Sequence, residues 1–296
     1  MNIILAEAMG MCFGVRDALA ITERLDDPSE VTIHGELVHN GSVNRRLTAK
    51  GFQITQEEDR SPVPQTPVVL LTAHGVSRTE KERLRRAGKR LVDTTCPLVA
   101  RVHEAADRLD AQGCHVLVIG RRGHVEVEGI VGDLESFDVL ESAREVETYP
   151  QKKLGVISQT TTPLSDVERI YRTVQRRNPQ AEIRFVDTVC QPTKDRQRAL
   201  DDLLDQVNVV VVVGGKNSNN TRQLAGRCRH RGVPAYHVQG PSELRVDWFD
   251  RRSVVGLTAG TSTLDQTIQS VERRLLEIAA GVHRGSPATD SRSTAS

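Results

Sequence analysis

A five-residue phrase ending in cysteine occurs twice in this chain, Val-Asp-Thr-Thr-Cys at 92–96 and Val-Asp-Thr-Val-Cys at 186–190, and a third cysteine, Cys12, precedes the first at a comparable interval. Each of the three stands between a short apolar run and an amphipathic segment. A period of about 90 residues is too long for a solenoid unit and predicts three similar domains. Three copies of one thiol-bearing unit also restrict how the units pack, since a pseudo-threefold arrangement gathers the equivalent thiols at one point.

The rest of the sequence follows the same period. Four candidate strands fall in each third: 3–6, 31–33, 52–54 and 68–71; then 91–93, 116–119, 138–140 and 154–157; then 183–186, 209–213, 235–238 and 254–257. Short runs rich in Val, Ile and Leu, separated by helical stretches, are the pattern of parallel strands covered on both faces. Val99, Val102, Ala106 and Leu109 form one helical stripe after Cys96, and Leu200, Leu203, Leu204 and Val207 form another after Cys190. Capping-box spacings recur at Ser77 with Glu80, Ser165 with Glu168 and Thr263 with Gln266. The expected fold is α/β, with three similar domains of small, mostly parallel sheets in a pseudo-threefold arrangement around a central cavity. The domains are expected at 1–90, 91–182 and 183–281, with a disordered tail at 282–296.

In an open parallel sheet the ligand site lies beyond the carboxyl ends of the strands. Cys12 to His39, Cys96 to His124 and Cys190 to Ser218 span 27, 28 and 28 residues, and the second member of each pair follows a second strand. His74, Thr160 and Ser262 follow the fourth strands. The predicted cavity therefore holds Cys12, Cys96 and Cys190 with His39, His74, His124, Glu126, Thr160, Thr161, Ser218, Asn219, Asn220 and Ser262. Three thiolates, one short of four, suit a metal centre with an open coordination position. Histidines, hydroxyls and amides at helix N-termini suit a phosphate. The Gly214–Gly215 pair lets backbone approach a ligand closely, although the lysine that follows is not in a Walker context. Glu126, two residues from His124, is a candidate proton donor if the cavity desolvates it, and Glu128 would share its face in an extended segment.

Taken singly, a cysteine at a strand end is more often a core residue than a ligand, and Cys114 and Cys228 are read that way. So are His34, His103, His115, His230, His237 and His283, which form no corresponding set. The charge run from Arg78 to Arg90 reads as a solvated helix face. With 40 basic and 39 acidic side chains, the chain has no broad attraction for nucleic acid or anionic membrane. Aromatic residues at 3% leave little for base stacking. The apolar start is broken by Glu7, and the run at 209–213 is far below the roughly 20 residues that span a bilayer. The expectation is a cytoplasmic protein, and in a reducing compartment five cysteines suggest ligands and core residues rather than disulfides.

Motifs run in one order along the chain: Gly-Met-Cys-Phe-Gly-Val at Cys12, Leu-Val-His-Asn at His39, Ala-His-Gly-Val-Ser at His74 and Asp-Thr-Thr-Cys-Pro-Leu-Val at Cys96. Gly-His-Val-Glu-Val-Glu-Gly at His124, Gln-Thr-Thr at 159–161, Cys190, Lys-Asn-Ser at 216–218 and Thr-Ala-Gly-Thr-Ser at 258–262 complete them. In these the sequence resembles the LytB/IspH family of 4-hydroxy-3-methylbut-2-enyl diphosphate reductases, which close the methylerythritol phosphate route to isoprenoids. The resemblance implies a 4Fe-4S cluster on Cys12, Cys96 and Cys190, with one iron open to the substrate hydroxyl. It further implies diphosphate binding by His39, His74, His124, Ser218, Asn220 and Ser262, a positioning role for Thr160 and proton delivery by Glu126. Val125, Asn219, Met11, Thr261 and Leu264 depart from the usual family residues, which keeps a specialised paralogue as an alternative. A non-enzymatic iron-sulfur sensor or carrier is a second alternative, and a zinc hydrolase is ranked last. No Gly-x-Gly-x-x-Gly fingerprint appears, so electrons are expected from an external ferredoxin or flavodoxin with its reductase.

Overall fold

The computed structural model describes residues 1–57 and 59–281, so the tail expected at 282–296 lies outside the described residues. Strand β1 (Asn2–Leu5) leads into helix α1 (Phe13–Glu23). Then come β2 (Val31–His34), α2 (Gly41–Ala49), β3 (Gln53–Ile54), β4 (Val68–Leu71) and α3 (Arg78–Arg86). The middle of the chain forms β5 (Arg90–Asp93), α4 (Pro97–Ala111), β6 (His115–Ile119), α5 (Val125–Val131), β7 (Phe137–Leu140), β8 (Lys153–Ser158) and α6 (Leu164–Arg177). The last part forms β9 (Glu182–Phe185), α7 (Gln191–Leu204), β10 (Val209–Val213), α8 (Asn219–His230), β11 (Ala235–Val238), β12 (Val254–Ala259) and α9 (Asp265–Ala279).

All pairings within the sheets are parallel, and the three sheets have orders β3-β2-β4-β5, β7-β6-β8-β9 and β11-β10-β12-β1. The three-lobed α/β architecture is thus the expected one, but sheet membership is shifted by one strand. β5 joins the first sheet and β9 the second, while β1 pairs with β12 to complete the third. A sequence period fixes the length of a unit and not where it begins. All three strands that lead to a cysteine are edge strands; β5 and β9 lie next to their predecessors in the chain, as short βαβ connections favour, while β1 lies on β12. We propose a domain division that follows the sheets, with β1 handed to the third lobe, in place of cuts at 90 and 182.

The cysteines therefore mark the passages between lobes. After Cys96, α4 leaves the first sheet and packs Val102, Ala106 and Leu109 against Val116 and Val118 of the second. On that sheet's other face α6 buries Val167, Ile170 and Val174 against Leu117, Ile119 and Val156. The stripe Val99, Val102, Ala106 and Leu109 is buried, as are Leu200, Leu203 and Leu204, while Val207 lies beyond α7. The repeat extends to packing detail: a Cβ on Gly155 of β8 would lie 2.9 Å from Leu109, and one on Gly256 of β12 would lie 2.9 Å from Leu203. Glycine lets each post-cysteine helix sit tightly on its sheet.

One expected capping box forms its cap, with Ser77 Oγ accepting from Glu80 N at 3.1 Å. The other two spacings are offset, because α6 is preceded by Pro163 and α9 by Leu264. The Thr263 hydroxyl instead donates to Val213 O, fastening the loop to a strand end. Cys114 and Cys228 are buried in the core. His34, His115 and His237 are held by Glu80, by Ser136 with Asp138, and by Gly214 O respectively, as packing residues are. No helix among the described residues is long and apolar enough to cross a membrane.

Candidate active site

A cavity of about 710 Å³, counting space open to solvent, lies where the carboxyl ends of the three sheets meet. Every residue placed in it from the sequence lines it: Cys12, Cys96, Cys190, His39, His74, His124, Glu126, Thr160, Thr161, Ser218, Asn219, Asn220 and Ser262. One wall is sulfur. Cys12, Cys96 and Cys190 are the N-cap residues of α1, α4 and α7, and none uses its side chain to cap the helix. Three helix N-termini thus point partial positive charge toward three sulfurs. Burial nevertheless pushes the Cys190 thiol up to about 11 and raises that of Cys96. Thiolates gathered there need a cation between them, which a metal centre supplies. The half-buried sulfurs belong to free cysteines, and Cys190 Sγ lies 3.1 Å from the Thr193 hydroxyl. A Cβ on Gly14 would come within 2.4 Å of Cys96 Sγ, so α1 leaves this sulfur no spare room. The donor set and its cradle fit an iron-sulfur group.

A second wall is polar. His39, His74 and His124 pack their rings together, His39 stacked on His74 at 4.3 Å and His124 edge-on to them at 5.2 and 5.9 Å. His124 caps α5, its Nδ1 accepting from Glu126 N at 3.1 Å, which leaves Nε2–H as the donor of the neutral ring. Burial first, and the neighbouring imidazoles and arginines second, hold His74 well below the usual histidine range and His124 down at about 3. Desolvation and the neighbouring positive charges disfavour the charged forms of His74 and His124.

Loops from different lobes interlock around these rings. Ser262 Oγ donates to His39 O at 3.1 Å and Asn40 Nδ2 donates to Ser262 O at 2.6 Å. A Cβ on Gly215 would lie 2.6 Å from His39 O, so this glycine is required by close approach of two lobes. Asn219 Nδ2 donates to Thr161 Oγ1 at 2.9 Å, joining the second and third lobes, and Asn220 Oδ1 accepts from Thr261 N at 3.1 Å. Ser218 caps α8 through Thr221 N.

Glu126 sits between the two walls. It is 2% exposed, Oε1 accepts from Thr160 N at 2.7 Å, and Oε2 lies 3.0 Å from Thr160 Oγ1. Burial outweighs those hydrogen bonds and raises its pKa, so the carboxyl is biased toward the protonated form. Its segment is helical rather than extended, which turns Glu128 out to the surface, where it accepts from Gly123 N.

Several contributors were missed by reading the sequence. Arg196, 7% exposed, donates to Gly10 O and, at 2.8 Å, to Pro192 O, tying the Cys12 and Cys190 turns together. Glu36 lies against His39, with Oε2 3.1 Å from Nδ1. A ligand atom of Glu57 lies within 4.8 Å of one on each of His39 and His74. Only the register of Glu36, three residues before His39, offered any signal.

A three-lobed parallel α/β protein with three thiols and three imidazoles lining one cavity is the framework of a metal-dependent enzyme acting on an anionic substrate. The chain belongs to the LytB protein family, whose model matches residues 3–276. It is 36% identical over 277 residues to the 4-hydroxy-3-methylbut-2-enyl diphosphate reductase of Neisseria gonorrhoeae, covering 91% of this chain and 85% of that one. It is 37% identical over 286 residues to the enzyme of the same name from Methylibium petroleiphilum, covering 94% and 86%. Among solved structures, the (E)-1-hydroxy-2-methyl-but-2-enyl-4-diphosphate reductase of Plasmodium falciparum matches with a TM-score of 0.85 at 26% identity, covering 93% of this chain and 88% of that one. A second solved structure, an (E)-4-hydroxy-3-methyl-but-2-enyl diphosphate reductase, matches with a TM-score of 0.65 at 30% identity, covering 93% and 99%.

Proposed function

We propose that this chain removes the hydroxyl of 4-hydroxy-3-methylbut-2-enyl diphosphate to give isopentenyl and dimethylallyl diphosphate, the last step of the methylerythritol phosphate route. The carrying observation is a single cavity that joins three helix-capping cysteines, a buried carboxyl and a cluster of imidazoles. In balance, the carbon–oxygen bond breaks, two electrons and two protons enter, and water leaves. A sensor or carrier has no use for the imidazole wall or for Glu126.

In this reading Cys12, Cys96 and Cys190 hold a 4Fe-4S cluster, which when bound supplies electrons and a Lewis-acidic iron. His39, His74 and His124, with Ser218, Asn219, Asn220 and Ser262, bind the diphosphate at the far wall. This fixes the distance from anion to alcohol and directs the hydroxyl toward the sulfurs. Thr160 Oγ1 orients that hydroxyl, and Glu126 delivers a proton through it: Oε2–H donates to Thr160 Oγ1, whose own proton passes to the leaving oxygen. The apolar side chains of Val15, Val38, Ala73 and Leu98 around the cavity limit the water that would compete for that proton. Electrons come from an external ferredoxin or flavodoxin system in the cytoplasm.

The test is anaerobic assay of the purified protein with the hydroxylated five-carbon diphosphate and a dithionite-type donor, alongside iron and sulfide analysis. The expected result is turnover with about four irons per chain. Protein holding zinc alone, or iron-loaded protein without turnover, overturns the reading.

A further inference from the structure

Two carboxylates stand where an anion is meant to bind, which needs a physical account. Glu57 is fixed by Oε2, which accepts from Glu36 N at 2.6 Å and Arg60 Nη2 at 2.7 Å, while its buried Oε1 has no partner among the described residues. Glu36 Oε2 accepts from Asn217 Nδ2 at 2.9 Å and meets His39 Nδ1. His39 Nε2 and His74 Nδ1 are likewise buried without a partner among the described residues. Three unsatisfied polar atoms on adjoining side chains are costly in an interior unless something completes them. The diphosphate can complete an imidazole N–H. It cannot complete a carboxylate oxygen.

Building on the diphosphate site proposed above, we infer that Glu36 and Glu57 are positioning residues that hold protons on His39 and His74 when the diphosphate binds. An imidazolium donates from both nitrogens. One N–H meets the phosphate and the other needs an acceptor, which Glu36 gives His39 and which Glu57, with a ligand atom within 4.8 Å of one on each ring, can supply after a small shift. Among the described residues, the other charged and titratable groups facing the cluster are Arg60 after β3, Arg121 and His124 after β6, Glu126 on α5 and Arg222 on α8. The arginines oppose protonation of the rings, so the two carboxylates have to outweigh them. Burial favours the neutral form of His74, so proton uptake is expected to accompany diphosphate binding.

The probe is inorganic diphosphate, titrated calorimetrically into the iron-loaded enzyme at pH 8 in buffers of different ionisation enthalpy. The wild type is compared with Glu57→Gln, Glu36→Gln and Glu57→Asp. The expected result is net proton uptake by the wild type and clearly smaller uptake by both glutamine variants. Diphosphate binding should weaken roughly tenfold in these two, about 1.4 kcal/mol by the standard conversion, and the aspartate variant should recover part of it. KM should rise by a similar factor and begin its climb at lower pH, while kcat at saturating substrate changes less than about threefold, because only ground-state binding is lost. Cluster absorbance and melting temperature identify any variant that fails to fold. Equal proton uptake in wild type and glutamine variants overturns the inference, as does kcat falling as far as kcat/KM. Binding that depends on added Zn²⁺ or Mg²⁺ and disappears with chelator overturns it too, since a metal would then complete the three atoms. Failure of the wild type to bind diphosphate, or binding unaffected by His74→Ala, removes the underlying site instead.

Discussion

The two walls of the cavity are built from the same repeated unit and keep its symmetry to different degrees. At the sulfur wall all three lobes present one residue type in one setting, a cysteine capping a helix after an edge strand. At the polar wall the equivalent strand ends carry His39, His124 and Ser218, and beyond them His74, Thr160 and Ser262. In the proposed reading the three cysteines would hold one compact cluster, which asks the same residue of each lobe, so the repeat is retained. An elongated substrate with an alcohol at one end and a diphosphate at the other requires a different side chain from each lobe.

Substitutions can break that contrast, starting with the largest effect. Cys96→Ser should release the metal centre and lower activity by more than about a thousandfold, upwards of 4 kcal/mol, with iron content as the check. Gly14→Ala tests the same wall without touching a ligand. The added methyl falls on Cys96 Sγ, so iron retention should drop sharply while the protein stays folded by circular dichroism. If Gly14→Ala keeps full iron, the sulfur wall is more compliant than its geometry implies.

At the junction of the walls, Glu126→Gln should lower kcat by about 10²- to 10⁴-fold while iron content and diphosphate affinity hold. Because burial raises the carboxyl's pKa, the protonated, active form persists to higher pH than for an ordinary glutamate. The expected profile has kcat falling as pH rises through that raised pKa, and loss of this limb in the glutamine variant is the check. The smallest effect is at Val125, the first residue of α5, where the missing N–H of a proline would not be needed and His124 already has the extended backbone that precedes proline. Val125→Pro should stabilise by about 0.4–1 kcal/mol and leave turnover within about twofold. A large activity change would mean that the polar wall depends on α5 being able to shift.

How much was legible in the sequence follows from where each residue gets its role. A parallel strand announces itself by a Val-, Ile- and Leu-rich run, and the residue after it points toward the ligand side, so the cavity-lining set could be read from spacing. Sheet membership could not, since β5 and β9 are joined to their sheets by hydrogen bonds that periodicity does not encode. Arg196, Gly14 and Glu57 were silent for a related reason. Their importance lies in contacts with Gly10, with Cys96 and with the His39–His74 pair, made across lobes or loops and not from a strand end. The helical turn at 125–131 was missed because a short helix capped by histidine has no customary N-terminal signal.

Because β1 lies in register on β12, with Asn2 beside Val254 and Leu5 beside Leu257, the third sheet is complete only when two segments far apart in sequence have met. The first and second sheets join strands that are nearer in sequence, whereas β1 and the Cys12 turn that follows it take their place only once β12 is present. In the proposed reading, cofactor loading is therefore expected after β1 has docked on β12, as the step that locks the three lobes together.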